Sequence, residues 1–279
     1  MLHKDTKLMI FSDIDGSFLN HDDYSYGNLY TFITKLKKIS DIVFVSSKTF
    51  AEIKLLNNLL GITFPFIVEN GACIFFPESY YNAELKGDKF FKKENYIGYR
   101  VSEKIIKSHK RDLNQFKKKF NFLFYSELSS EKLANITNLK GLQIKSSQDR
   151  LFSDPIYWND SKKNFIKFEN ELKNINIRIN KGGRFIHLSN DYDKGDAVGE
   201  FLKIDNKQNT FKKMTISIGD SHNDISMLEL TDYSCMIKRE KKKSLVLEKK
   251  KNNYYSTNIA PDGWRESLEF IFNKENINF

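Results

Sequence analysis

The chain is 279 residues long, 40% hydrophobic and 14% aromatic, enough to bury a large core and to form two domains. No apolar run approaches the roughly 18 residues of a membrane span, which sets membrane partners aside. The formal net charge of +9 comes from lysines scattered along the whole length, densest in KREKKK at 238–243 and KKK at 249–251, so it reads as a solvated surface rather than a nucleic-acid footprint.

The N-terminal MLHKDTKLMIF lacks the long apolar core of a signal peptide. Within it begins KLMIFSD, a continuous apolar run that predicts a strand buried on both faces. Leu29, Phe32, Ile33 and Leu36 recur at helical spacing. DIVFVSS predicts a second buried strand, TFAEIKLLNNLLG a second amphipathic helix with Gly61 as its C-cap, and PFIVENG a third strand. This alternation is the rhythm of a doubly wound parallel sheet. The two cysteines, Cys73 and Cys235, form no disulfide framework. They read as small buried hydrophobes, and a reducing cytoplasm is the expected compartment.

The rhythm breaks near residue 85. A helix is predicted over 101–119 and another in SSEKLANITNL, whose serines suit a cap. PIYWN reads as a strand, and Phe165, Phe168, Leu172 and Ile175 mark a helix. NIRIN and RFIHLS read as a hairpin around KGG. The rhythm returns in DKGDAVGEFL, a helix with Ala197, Val198, Phe201 and Leu202 on one face. MTISIGD follows as a strand, NDISMLEL as a helix and SCMI as a strand. The predicted fold is therefore α/β. A Rossmann-like doubly wound core spans 1–84 and 190–279, and an α+β unit is inserted at 85–189.

Ligand sites of open α/β sheets lie outside the carboxyl ends of the strands. Here the first strand ends in Asp13 and Asp15, the second in Ser46 and Ser47 followed by Lys48, and the third in Glu69, Asn70 and Gly71. The strand after the insert ends in GDSHND, with Asp220 and Asp224, and Lys194 opens the preceding helix. Carboxylates this close repel one another, so they either face solvent as an ordinary turn or surround a positive charge. A hard cation such as Mg²⁺ wants such oxygen ligands. An aspartate beside it can attack phosphorus, and a second carboxyl can protonate the leaving oxygen. Hydroxyls, amides and an ammonium then hold the phosphoryl oxygens.

DIDGS, VSSKT, DKGDAV and GDSHND resemble, in order, the four motifs of the haloacid dehalogenase superfamily. The resemblance implies that Asp13 is the nucleophile and Asp15 the general acid/base. It implies that Ser46 or Ser47, with Lys194, binds phosphate. It also implies that Asp13, the main-chain carbonyl of Asp15, and Asp220 hold Mg²⁺, with Asp224 supporting the metal shell. An acid two residues after the nucleophile is the phosphatase pattern, and the insert stands where the family places its larger α/β cap.

VFVSSKTFAEI, PFIVENGACIFFPESYY, GGRFIHL with NDYDKGDAV, QDRLFSDPIYW and APDGWRESLEF together resemble the mannosyl-3-phosphoglycerate phosphatase family. Ser17 for threonine and His222 for proline are departures from it. This resemblance implies a small anionic sugar-phosphate substrate, a glycosylglycerate product of the compatible-solute type, and a substrate-facing loop carrying Arg150; Lys48 and Arg184 are further candidate substrate contacts. Arg184 also reads simply as a hairpin residue, and His187 reads as strand packing. The sugar, mannose or glucose, and the oligomeric state stay open, as does a sucrose-phosphate or hexose-phosphate substrate. A basic nucleic-acid-binding protein on an inactive scaffold is disfavoured, since it has no use for four mutually repelling carboxylates.

Overall fold

The computed structural model describes residues 6–103, 113–181, 184–189, 191–240, 245–248 and 251–279. At its centre is strand β1 (Thr6–Ser12), where Leu8 and Ile10 pack on one face and Met9 and Phe11 on the other. Its continuous apolar run is thus explained by cover on both sides. β1 pairs in parallel with β2 (Ser40–Val45) and with β11 (Lys212–Gly219). Beyond β11 lie β12 (Tyr233–Met236) and β13 (Asn253–Tyr255), also parallel. Beyond β2 lies β3 (Phe66–Val68), the last strand of the parallel block. Ser12 lies opposite both Ile218 and Phe44, so three strands end at nearly the same height.

The sheet then continues in the antiparallel sense through β4 (Cys73–Pro77), β6 (Tyr96–Arg100) and β5 (Phe90–Lys93). The full order is β13-β12-β11-β1-β2-β3-β4-β6-β5. The boundary expected at 84/85 therefore falls inside the core sheet, and residues 90–100 belong to that sheet rather than to the insert. The hairpin is held there by aromatic packing. The Phe91 ring lies edge-on to Phe75 at 5.9 Å, in space a side chain at Gly98 would fill.

One face of the sheet is covered by helices α1 (Leu29–Leu36), α2 (Phe50–Leu60) and α8 (Asp262–Lys274), the other by α6 (Lys194–Gln208) and α7 (Ile225–Leu230). α2 starts with a Thr49–Glu52 capping box and ends at Gly61 in the left-handed conformation, as its sequence implies. α8 buries Trp264 completely. The indole N–H donates to Ser12 Oγ at 2.8 Å, so the ring's one polar atom is satisfied beneath the end of β1. Both cysteines are buried. None of the described helices is long and apolar enough to cross a membrane.

The inserted unit has its own four-stranded antiparallel sheet, ordered β7 (Phe122–Phe124), β8 (Ile156–Trp158), β10 (Ile186–Ser189), β9 (Arg178–Lys181). Phe168 and Leu172 of α5 (Lys162–Lys173) pack on Phe116, Phe122 and Ile156. Two further helices, α3 (Ser130–Thr137, capped by Ser129) and α4 (Leu142–Gln148), flank it. Ile175 lies past the end of α5 and is exposed, not on its apolar face. Of the helix expected over 101–119, residues 104–112 lie outside the described residues, and Gln115–Lys118 is a 3₁₀ turn. The lysines at 241–243 and 249–250 also lie outside them.

The turn between β3 and β4 positions one edge of the site. Glu69, Asn70 and Gly71 all have positive φ, and a Cβ on Gly71 (φ +101°) would stand 2.1 Å from the Asp193 carbonyl oxygen. Gly71→Ala should lower the unfolding free energy by more than about 2 kcal/mol. The check is a denaturant titration at constant m, and a change within about 0.5 kcal/mol would show that the turn relaxes.

Candidate active site

An open cleft of about 450 Å³ lies at the carboxyl edge of the parallel strands, between the core and the inserted unit. Asp13, Asp15 and Asp220 lie at its floor, and Ser47, Lys48, Arg150 and Arg184 line its walls. Ser46, Lys194 and Asp224 lie beneath the surface, at 1%, 1% and 0% exposure.

Carboxylate oxygens of Asp13, Asp220 and Asp224 lie within 4.8 Å of one another. The Lys194 ammonium donates to Asp13 Oδ1 and to Asp224 Oδ1, each at 2.6 Å. Asp224 Oδ2 accepts from the backbone N–H of Ser221 at 2.9 Å and of Asp220 at 3.1 Å. Both Asp224 oxygens are therefore engaged, and its role is to fix Lys194 and the turn that carries Asp220. Asp13 Oδ2 is lightly held, accepting from Ser17 Oγ at 3.4 Å. Gly16, at φ +85°, lets the chain pass close to Asp220, whose Oδ2 would lie 2.9 Å from a Cβ there.

Each remaining acid also has a cation. Lys48 Nζ lies 3.0 Å from Asp15 Oδ2 and 3.6 Å from Glu52 Oε1, while Arg239 Nε lies 3.1 Å from Asp220 Oδ2. Asp15 Oδ1 is buried without a hydrogen-bond partner among the described residues. The lightly held Asp13 carboxylate and the neighbouring Asp220 carboxylate, with Asp224 engaged beside them, are oxygen donors that fit a hard divalent cation.

Arg150 does line the cleft, but its guanidinium is engaged. It donates to the Ser47 carbonyl at 3.0 Å and to Ser153 Oγ at 2.9 Å, and lies 3.7 Å from Glu69 Oε2. The reason is the fold of the 150–153 loop onto Glu69, whose carboxylate accepts from the amides of Leu151, Phe152 and Ser153. Arg184 donates to Tyr24 Oη at 2.6 Å and lies over the Tyr24 ring. Ser47 reaches the cleft. Ser46 braces the loop below it, its Oγ accepting from the Lys48 amide and its carbonyl from the Asn70 amide. His187 sits in β10 as read, yet its ring also lines the cleft, with Nδ1 unpartnered among the described residues.

Sequence reasoning missed His21, Tyr24, Tyr125 and Arg239 as cleft residues. Arg239 was within reach of the strand-end rule, because it follows the carboxyl end of β12 by three residues. Tyr24 and Tyr125 arrive from loops whose paths no local pattern announces.

The buried acids hold protons unusually well when no metal neutralises them. Burial raises the Asp13 carboxyl to about 8, against the pull of Lys194 and with help from Asp224 and Asp220. Burial, then Asp224, raises Asp220 to about 7. For Lys194 burial opposes the charge, but Asp13 and Asp224 outweigh it and hold the pKa above the ordinary lysine value. Burial and then Arg150 and Lys194 lower His187 to about 3, so its ring is neutral. A raised carboxyl pKa stabilises the fold below the unfolded value and loses that contribution as pH rises through the folded one. In EDTA the melting temperature should therefore fall between about pH 4 and pH 8, and saturating Mg²⁺ should flatten the slope. Thermal melts with and without chelator check this; a flat profile in EDTA would remove the proton-for-metal exchange.

With the geometry in place, the chain can be compared with known proteins. Residues 10–263 match the model of the haloacid dehalogenase-like hydrolases. A glucosyl-3-phosphoglycerate/mannosyl-3-phosphoglycerate phosphatase of Persephonella marina is 31% identical, the match covering 96% of this chain and 98% of that protein. A protein of the same name from Methanococcoides burtonii is 29% identical over 97% of this chain and 99% of its own. Among solved structures, a Thermoplasma acidophilum protein matches with TM-score 0.63 at 17% identity, covering 96% of this chain and 98% of that one. The sucrose-phosphatase of Synechocystis matches with TM-score 0.60 at 12% identity, covering 95% and 98%. This chain belongs to the haloacid dehalogenase-like hydrolases, sharing their parallel-sheet core and inserted cap.

Proposed function

We propose that this hydrolase removes the phosphate from a glycosyl-3-phosphoglycerate, giving a glycosylglycerate and inorganic phosphate. The observation that carries the chemistry is the Asp13–Lys194–Asp224 cluster with Asp220 beside it, at the floor of a cleft walled by cations. The substrate reading is supported by the full-length similarity to the two phosphatases of that name. The cleft's volume also lies in the range of small-molecule sites, about 300–1,000 Å³.

The positions of the side chains support the following steps. Lys194 holds Asp13 Oδ1, which leaves Oδ2 to attack phosphorus. The new O–P bond forms as the ester P–O bond breaks, and Asp15 gives its proton to the departing glycerate oxygen. Asp15 then takes a proton from water, whose oxygen attacks the aspartyl-phosphate and frees phosphate and the Asp13 carboxylate. Lys48, 3.0 Å from Asp15, steadies its carboxylate as it forms. An ammonium has three donors. Lys194 uses two on Asp13 and Asp224, and with Ser47 it can offer the third to a phosphoryl oxygen. Asp13, the Asp15 carbonyl and Asp220 would hold Mg²⁺, which would supply charge stabilisation at the phosphoryl group. Lys48 and Arg184 remain as substrate contacts from the cleft walls. Arg150 becomes a positioning residue, acting through the Ser47 loop.

Phosphate release with Mg²⁺ from mannosyl- and glucosyl-3-phosphoglycerate, sucrose 6-phosphate and hexose phosphates tests the reading. The expected result is the highest kcat/KM on one or both glycosyl-3-phosphoglycerates, lost in EDTA. Higher kcat/KM on sucrose 6-phosphate would replace the substrate assignment.

Asp13→Asn should fold and lose turnover by about 10³-fold or more, since the amide keeps the shape but not the nucleophile. Near-normal release would remove Asp13 from that role. Asp15→Asn should lose far more activity on an alkyl sugar phosphate than on p-nitrophenyl phosphate, whose leaving group needs little protonation. Equal losses on the two would rule out acid/base work by Asp15.

A further inference from the structure

The two arginines singled out from sequence are each engaged in the structure, Arg150 by Ser47, Ser153 and Glu69, and Arg184 by Tyr24. Arg239 differs. It lines the same cleft from the core side and is half-buried. Its contact with Asp220 uses Nε, at 3.1 Å. The two terminal nitrogens make no hydrogen bond among the described residues. An arginine anchored at Nε keeps those terminal donors for a second, planar acceptor.

The backbone that carries Arg239 is fixed. The Ile237 amide donates to the Gly219 carbonyl at 2.8 Å, and the Lys238 amide donates to Ser256 Oγ at 2.9 Å. Arg239 is thus the next side chain after a pinned pair of residues at the carboxyl end of β12. His21, Arg184 and Arg239 line the same cleft, and burial first, then the charges of Arg184 and Arg239, lower the His21 pKa. A guanidinium held at Nε beside Asp220 keeps its terminal nitrogens for an anionic group close to the phosphate on the same molecule.

We propose that Arg239 is a specificity-determining residue that reads the substrate's carboxylate, with Asp220 holding its Nε and its terminal nitrogens forming the fork. This inference rests on the phosphoglycerate reading above and adds the group that distinguishes such a substrate from other phosphate esters. Arg suits the task better than Lys because a planar fork matches a carboxylate with two parallel N–H···O bonds.

Two probes differ only in that group. 3-Phosphoglycerate carries the carboxylate and glycerol 3-phosphate does not. Their affinities are to be measured calorimetrically with Mg²⁺ on the Asp13→Asn protein, so that turnover does not intrude. The expected preference for 3-phosphoglycerate is roughly 10- to 150-fold. Adding Arg239→Gln should reduce that ratio to within about threefold of unity, and Arg239→Lys should restore only part of it. If the ratio survives Arg239→Gln, or disappears instead with Arg184→Gln, the inference is overturned while the substrate reading stands. If the Asp13→Asn protein shows no preference at all, the phosphoglycerate reading falls and the inference falls with it.

Discussion

The site depends on one buried ammonium. Lys194 is 1% exposed, and removing such a charge from water costs several kcal/mol unless partners replace the solvent. Asp13 and Asp224 replace it, each at 2.6 Å. They stand on opposite halves of the divided core, before and after the insert. Lys194 is itself the first residue of α6, where the chain re-enters the core. A single cation therefore ties together both core segments and the return from the cap. It also resolves the repulsion that makes the acidic strand ends improbable as a mere turn.

The same electrostatic logic extends outward. Lys48 answers Asp15 and Arg239 answers Asp220, so each acid at the floor faces a cation on a different element. The acids alone would repel; the cations placed among them offset that repulsion. Such an arrangement needs rigid supports, and the structure supplies them. Trp264 fills the space under β1, and Asp224 accepts the amides of its own turn.

The cap joins the core through hydrogen bonds, with the cleft beside that seam. Glu69 accepts three consecutive amides of the 151–153 loop, Thr49 donates to the Ser146 carbonyl, and Tyr24 donates to the Thr137 carbonyl. The walls of the cleft are thus positioned by groups that also bind the two units to each other. A change in a cap loop therefore alters the cleft walls without touching the acids at its floor.

The parallel core was legible because its signals are local. Continuous apolar strands, the Thr49–Glu52 cap and Gly61 depend on neighbours a few residues away. The acids were legible because the carboxyl ends of parallel strands converge by topology, so Asp13, Asp15, Asp220 and Asp224 could be placed together before any distance was known. The β5–β6 hairpin was not legible, since its polar turn and short strands look like insert until Phe91 meets Phe75 across Gly98. The direction of each arginine was not legible either. Sequence alone placed the acids, Lys48 and Lys194 at one edge of the sheet; tertiary structure brought Arg239 beside Asp220 and decided that Arg150 braces the Ser47 loop and that Arg184 rests on Tyr24. The reason is physical: a long side chain takes its partner from whatever distant backbone the fold brings within about 3 Å, and no pattern along the chain encodes that meeting.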